Sequence, residues 1–209
     1  RAFGFMFLST AKIAQIENPD SKAAIGIGAF NLVRHDALKH SSGFEWLRME
    51  VADDYGIGIM LKAAGYKIGF ATALDDLKVE WYHTIPQMVV GLEKNIMAPG
   101  TQFKTLKLII SPVIFASILI APFLSLLVWQ PPVYLTGIGV FLGIVIISLS
   151  IADKEHEKLS SWLLTPIGLL IILYTFTRAC ILCLARDGII WRDTFYPRAL
   201  LQKYQRVKL

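Results

Sequence analysis

The sequence has few cysteines and few charged residues for its length. Only two of 209 residues are cysteine, 18% are charged and 55% are hydrophobic, with a mean hydropathy of +0.53. Cys180 and Cys183 form a C-x-x-C inside an apolar run with no second pair, which argues against zinc or redox chemistry. They are better explained as two small buried side chains one helical turn apart. The composition is too apolar for an ordinary soluble domain and indicates a membrane protein.

The first half of the chain has no net charge. Residues 1–105 carry 11 Lys+Arg and 11 Asp+Glu, whereas residues 106–209 carry 10 and 5. A basic excess beside apolar segments indicates the cytoplasmic face of a membrane rather than nucleic-acid binding.

Three runs have almost no charge and are long enough to span a bilayer core of ~30 Å. They cover residues 108–129, 133–151 and 162–184. Pro112 and Pro122 could kink or split the first run. Arg178 lies inside the third, where a charge is costly, so we expect it to face other helices, a wet groove or lipid headgroups.

The chain begins with Arg1 and shows neither an initiator Met nor a signal-peptide pattern. Its first segment already looks like the middle of a domain. We therefore expect a fragment of a longer protein.

The pair Asp53-Asp54 opens a segment with helical apolar spacing that ends at Gly65. Carboxylates at a helix start favour its positive end, and Gly65 suits a left-handed cap. Simple capping is the plainer interpretation of such a pair.

Extended segments flank this helix in the prediction. Residues 23–33 and 66–70 are predicted as strands, and Leu77, Val79 and Trp81 alternate in another. Asp36 is predicted to cap a short helix over residues 37–40.

Thr84 and Gln87 have the spacing of a capping box for an amphipathic helix that precedes the first apolar run. Such a helix can lie in the membrane interface. The alternative is a surface helix on a globular core.

Several motifs occur in an order that resembles the C-terminal half of family-two glycosyltransferases. These are inverting membrane enzymes with a GT-A fold, and the ceramide-glucosyltransferase and hopanoid or carotenoid glycosyltransferase type is the most similar. The motifs that carry the resemblance are Gly28-Ala29-Phe30-Asn31-Leu32-Val33-Arg34, Asp53-Asp54-Tyr55-Gly56-Ile57-Gly58, Ala64-Gly65-Tyr66-Lys67-Ile68, Trp81-Tyr82-His83, Gly91-Leu92-Glu93-Lys94-Asn95 and Trp191-Arg192-Asp193-Thr194-Phe195-Tyr196.

The resemblance implies an α/β fold, the C-terminal portion of a GT-A domain followed by an interfacial helix and two to three transmembrane helices. The parts are then a partial catalytic domain (1–83), the interfacial helix and linker (84–105), transmembrane helices (106–184) and a basic tail (185–209). Three full crossings would place the tail on the opposite side of the membrane from a cytosolic catalytic half. The tail nevertheless carries six Lys+Arg against two Asp+Glu, which favours the cytosolic side. The conflict would be removed if the first run does not fully cross the membrane or turns back at a proline.

The resemblance also implies the chemistry. Asp54 would be the base that takes a proton from the acceptor hydroxyl, because it matches the family's second acidic residue. Asp53 would hold a neighbouring donor or cap the helix. The acceptor and donor pocket would be lined by Gly28, Ala29, Phe30 and Asn31.

Four further residues are candidates for the pocket. Many relatives carry Gln/Arg-x-x-Arg-Trp, but Lys78-Val79-Glu80 precedes Trp81 here and the arginine is absent. Trp191 and Arg192 form a second Trp/Arg pair, which could hold a leaving diphosphate. His83 follows Trp81-Tyr82, although a hydrogen-bonded surface histidine is its plainer interpretation.

By resemblance, the chain belongs to a hexosyltransferase-type enzyme that uses a nucleotide-sugar donor, a lipid acceptor and membrane lipids, with no nucleic acid. A divalent metal, Mg or Mn, is expected with its ligands in a donor-binding half outside this sequence, and no metal site is predicted within it. The expected location is a bacterial inner membrane with the catalytic part cytosolic. The alternatives are a processive polysaccharide synthase subunit and a non-catalytic membrane anchor or assembly subunit.

Overall fold

The computed structural model describes residues 13–71, 79–128, 130–154, 165–191 and 193–207. Its helices and strands, in chain order, are α1 (His35–Lys39), α2 (Asp53–Ala63), α3 (Ile85–Thr101), α4 (Thr105–Ser125), α5 (Pro131–Lys154), α6 (Thr165–Arg186), β1 (Gly188–Trp191), β2 (Thr194–Pro197) and α7 (Arg198–Tyr204). Two short 3-10 turns, Ile13–Gln15 and Phe44–Leu47, complete the set of described elements.

The helix predicted after the acidic pair is confirmed as α2, and Gly65 beyond it has a φ of +84°. Asp53 and Asp54 lie in the first turn of α2, as predicted. The N-cap position is Ala52, which has no side-chain cap, and Asp54 Oδ1 instead accepts a hydrogen bond from the first-turn amide of Tyr55. The cap predicted for Asp36 is wrong: α1 begins at His35, which places Asp36 in the first turn.

The strands predicted at residues 23–33 and 66–70 are not strands in the described structure. A strand needs a ladder partner, and within the described residues the only ladder joins β1 to β2. The two segments have no regular secondary structure, and Ile25, Ile27, Ile68 and Phe70 from them pack in one cluster with buried Ile16. In the third predicted strand, Leu77 and Lys78 lie outside the described residues, and residues 79–81 do not form a strand.

Two glycines allow the segment that contains residues 25–28 to lie directly on α2. A Cβ on Gly26 would lie 1.7 Å from the backbone oxygen of Asp54, and one on Gly58 would lie 2.2 Å from that of Ile25. Backbone therefore contacts backbone, a close approach that only glycine permits. Gly26 therefore admits the backbone of α2, and Gly58 in α2 admits the backbone of Ile25. We call this contact, residues 25–28 against residues 54–58, the glycine seam.

Helix α3 begins with the predicted cap, since Thr84 Oγ1 accepts a hydrogen bond from Gln87 N at 3.3 Å. Its apolar face is covered by α6: Leu92 packs on Ile172, while Met97 and Ala98 belong to a second buried cluster with α6 residues. Whether α3 also touches a membrane surface stays a prediction.

Two described helices are long and apolar enough to cross a membrane. The segments Thr105–Ser125 and Pro166–Arg186 have mean hydropathies of 2.3 and 2.2. Pro112 and Pro122 both lie inside continuous α4, so the expected reversal at a proline is wrong. The predicted second run forms α5, which packs on the end of α4 with Gly137 against Ser125.

The beginning of α4 and the end of α6 adjoin. Arg198 donates hydrogen bonds to Asp187 Oδ1 at 2.7 Å and to Thr105 Oγ1 at 2.6 Å. Phe115 and Phe176 meet edge to face farther along, with ring centroids 5.9 Å apart. Hence α4 and α6 run antiparallel, and the chain that leaves along α4 returns along α6.

The tail after α6 folds back onto the first half of the chain. Strands β1 and β2 form an antiparallel hairpin in which Trp191 pairs with Thr194. Ile189 and Leu201 join the largest buried cluster together with Val51, Met97 and Leu108. The tail thus shares one core with the segment that precedes α2.

Candidate active-site groove

Asp54 and Gly28, two residues predicted for the same pocket, are in direct contact. Gly28 N donates a hydrogen bond to Asp54 Oδ2 at 2.6 Å, across 26 residues of sequence. The other carboxylate oxygen, Oδ1, accepts from Tyr55 N at 2.9 Å. An ionised carboxylate has about four acceptor positions, so the Asp54 carboxylate keeps capacity for a further donor such as a hydroxyl.

Tyr55 fixes the same contact from the buried side. Its side chain is 7% exposed and interacts with the backbone of Ala24. Burial raises the pKa of Tyr55, and the hydrogen bond with Ala24 lowers it by a smaller amount. The phenol therefore stays neutral and acts here as a structural tie.

Asp53 points to a different space. It lines a groove of about 580 Å³ between the segment before α2 and the tail hairpin. The groove residues are Phe44, Glu45, Leu47, Arg48, Met49, Glu50, Val51, Asp53, Ile57, Ile189, Trp191, Tyr196 and Leu201. Its walls are largely apolar with a few polar groups, which is typical of small-molecule sites.

Trp191 forms part of the groove wall next to a cation. Lys94 Nζ lies 4.4 Å from the centre of a Trp191 ring and 3.2 Å from the carbonyl oxygen of Val51. Tyr196 packs beside Trp191 with ring centroids 6.0 Å apart. The two rings form an aromatic wall, which suits a ligand with a flat or apolar face. Lys94 is not among the residues that line the groove.

Glu50 is the residue that sequence reasoning missed. It is 5% exposed, and its Oε2 accepts from Arg206 N at 2.6 Å and from Val207 N at 2.9 Å. Val207 in turn is buried with Ala52 and Tyr55. Buried carboxylates need partners, and here the partners are tail backbone amides about 157 positions away. The one sequence signal was a glutamate three residues before the Asp-Asp pair.

Trp81 and His83 lie apart from the groove. They precede α3 and are not among the groove residues. Lys94, which contacts the groove residue Trp191, lies ten residue steps beyond Thr84, or ~15 Å along the helix. Trp81 is 46% exposed, and His83 Nδ1 lies 3.1 Å from Glu80 Oε1. Their predicted pocket roles therefore have no support from proximity.

The other residues predicted for the pocket differ in their surroundings. Asn31 accepts a hydrogen bond from Ile27 N at 3.0 Å and so shapes the turn after Gly28. Phe30 is 57% exposed and Ala29 is half-buried. Arg192 lies outside the described residues.

The described residues contain no group of three or more His, Cys, Asp or Glu side chains that could hold a metal ion. The expectation that a divalent metal binds elsewhere stays a prediction.

Comparison with protein-family models, with curated proteins and with solved structures finds no match for this chain. The resemblance to glycosyltransferases therefore depends on the sequence motifs alone and stays a prediction.

Proposed function

We propose that this chain is the acceptor-side part of a membrane-bound inverting glycosyltransferase, which moves a hexosyl group from a nucleotide sugar to a lipid hydroxyl. Asp54 is the proposed base. The groove between Asp53 and Trp191 is the proposed space for the apolar part of the acceptor. Donor-binding residues and a divalent metal are proposed to lie outside this sequence.

The hydrogen bond from Gly28 to Asp54 is the observation that carries the proposal. The Gly28 and Asp54 motifs were assigned to one pocket by resemblance alone, and a hydrogen bond of 2.6 Å joins them. That bond fixes the carboxylate at the start of α2. The neighbouring Asp53 lines the groove, whereas Asp54 is not among the groove residues. A carboxylate fixed in this way can receive the proton of an attacking hydroxyl.

The membrane location is supported by α4 and α6, each long and apolar enough for one crossing. Because they run antiparallel, two crossings return the tail to the side of the catalytic half. The basic tail then lies on the cytosolic side, as its charge favours. We propose an integral membrane protein of a bacterial inner membrane with its catalytic part in the cytosol.

The test is Asp54→Asn in the protein expressed from its complete gene in native membranes. Release of nucleotide diphosphate is measured with a panel of nucleotide sugars and a lipid extract. Removing a general base typically lowers the rate by ~10²–10⁴-fold, and we expect such a loss with donor binding retained. The matched control is Asp20→Asn, an exposed aspartate outside the groove, which should keep full turnover.

A non-catalytic anchor is the second candidate, and one observation favours it. Both oxygens of the Asp54 carboxylate accept backbone amides, as structural carboxylates do. Under this alternative Asp54→Asn changes stability alone, and the wild-type protein turns over none of the donors. Unchanged turnover in Asp54→Asn would remove Asp54 from the mechanism.

A further inference from the structure

Two arginines of α6 converge on one carboxylate of α3. Arg178 Nη1 donates to Glu93 Oε2, and Arg186 Nη1 donates to Glu93 Oε1 at 3.0 Å. The Glu93 side chain is 12% exposed, whereas those of Arg178 and Arg186 are 30% and 35% exposed. In the sequence, Arg178 stood out as a charge inside an apolar run, where it is costly. In the structure, its partner is Glu93.

The three side chains, which we call the Arg-Glu-Arg cluster, carry one positive charge in excess. Each guanidinium has five N–H donors, and Glu93 is the only hydrogen-bond acceptor that either guanidinium reaches in the described part of the chain. Several donors and one charge therefore remain for a further anion.

The cluster lies where a lipid phosphate would be expected. Arg186 is in the last turn of α6, and the start of α4 adjoins that end through Arg198. Both apolar helices thus meet water at this level. Val90, one turn before Glu93, and Ile181, one turn after Arg178, are 64% and 59% exposed, and such side chains suit acyl chains.

We propose that the Arg-Glu-Arg cluster binds the phosphate of an anionic membrane lipid. Guanidinium groups match phosphate oxygens by paired hydrogen bonds. Glu93 holds the two guanidiniums together and reduces their mutual repulsion, so the site is formed before the lipid arrives. The proposal rests on the proposed membrane location but not on sugar transfer.

The test measures binding with the whole protein in neutral detergent. Phosphatidylglycerol, phosphatidylcholine and inorganic phosphate are titrated separately, and the thermal unfolding midpoint is followed. Arg186→Gln removes one guanidinium and leaves Glu93 paired with Arg178. Lys107→Gln is the matched control, because Lys107 is a cation near the start of α4 whose Nζ contacts only the carbonyl oxygen of Gly100 among the described residues.

We expect phosphatidylglycerol to raise the midpoint of the wild type and of Lys107→Gln. In Arg186→Gln its apparent affinity should fall about fivefold or more. Equal affinity in Arg186→Gln and Lys107→Gln would overturn the site. An equal response to phosphatidylcholine would remove the charge requirement, and an equal response to inorganic phosphate would show that the lipid is not the source of the anion.

Arg186→Lys keeps the ion pair and serves if Arg186→Gln does not fold. A lysine offers a point charge in place of the planar fork. We expect weaker binding of phosphatidylglycerol than in the wild type, and wild-type affinity would contradict recognition by the guanidinium. The readout is lipid binding, so failure of the sugar-transfer assay leaves this result unaffected.

Discussion

The glycine seam and the contact between α3 and α6 hold the molecule together in opposite ways. At the glycine seam, backbone meets backbone because Gly26 and Gly58 have no side chain. Between α3 and α6, side chains fill the space: Leu92 on Ile172, Ala98 near Ala179, and Glu93 between two arginines.

The difference shows where each contact is vulnerable. A backbone contact tolerates no added atom, since backbone cannot move aside as a side chain can. A side-chain interface tolerates some repacking, but it does not tolerate a charge that loses its partner. Three substitutions test this comparison, in order of decreasing expected effect.

Gly26→Ala should be the most damaging of the three. The new Cβ would lie 1.7 Å from the Asp54 backbone oxygen, so residues 25–28 must leave α2 and the bond between Gly28 and Asp54 must break. We expect a loss of about 4 kcal/mol in the free energy of unfolding, measured by denaturant titration in detergent, together with loss of turnover.

Gly100→Ala is the matched control for this substitution. It lies in α3, and a Cβ there meets no atom within 4 Å. It should be neutral or stabilising by about 0.5–1 kcal/mol. If both variants behave alike, the close contact at the glycine seam is wrong.

Glu93→Gln should come next. It leaves Arg178 and Arg186 facing a neutral amide in a largely buried position. Breaking such a pair costs about 3 kcal/mol, seen as a lower midpoint in the same titration. The matched control is Glu80→Gln, whose exposed pair with His83 should contribute at most about 0.5 kcal/mol. Equal effects would mean that the Arg-Glu-Arg cluster does not stabilise the interface.

Ala179→Leu should have the smallest effect. Ala179 is 1% exposed in the cluster shared by α3, α6 and the tail. The added carbons force neighbouring side chains to move, at about 2 kcal/mol. Ala185→Leu, an exposed alanine on the same helix, should leave the unfolding midpoint unchanged. A neutral Ala179→Leu would show that α3 and α6 pack less closely than described.

Sequence patterns predicted the helices well and the extended segments poorly. Apolar spacing located α2, and uncharged runs located α4, α5 and α6 within a few residues. These signals are local. The predicted strands failed because strand formation depends on a partner elsewhere in the chain, which a local pattern does not report.

The candidate site shows the same division. Asp54 and Gly28 could be named from their motifs, and the structure brings them together. Glu50 could not, since its partners, the Arg206 and Val207 amides, are backbone groups without a sequence signature. Trp81 and Trp191 looked equivalent as motif tryptophans, yet only Trp191 lines the groove.

By itself the sequence determined which segments are apolar and where α2 and α3 begin. It also predicted that Arg178 faces other helices, a wet groove or lipid headgroups, because hydropathy, helix-start signals and desolvation act within a few residues. Only the tertiary structure decided that Arg178 pairs with Glu93, that α6 returns beside the start of α4, and that the tail packs against Glu50. These contacts join residues 85 to 157 positions apart, and their geometry is set by how whole helices pack.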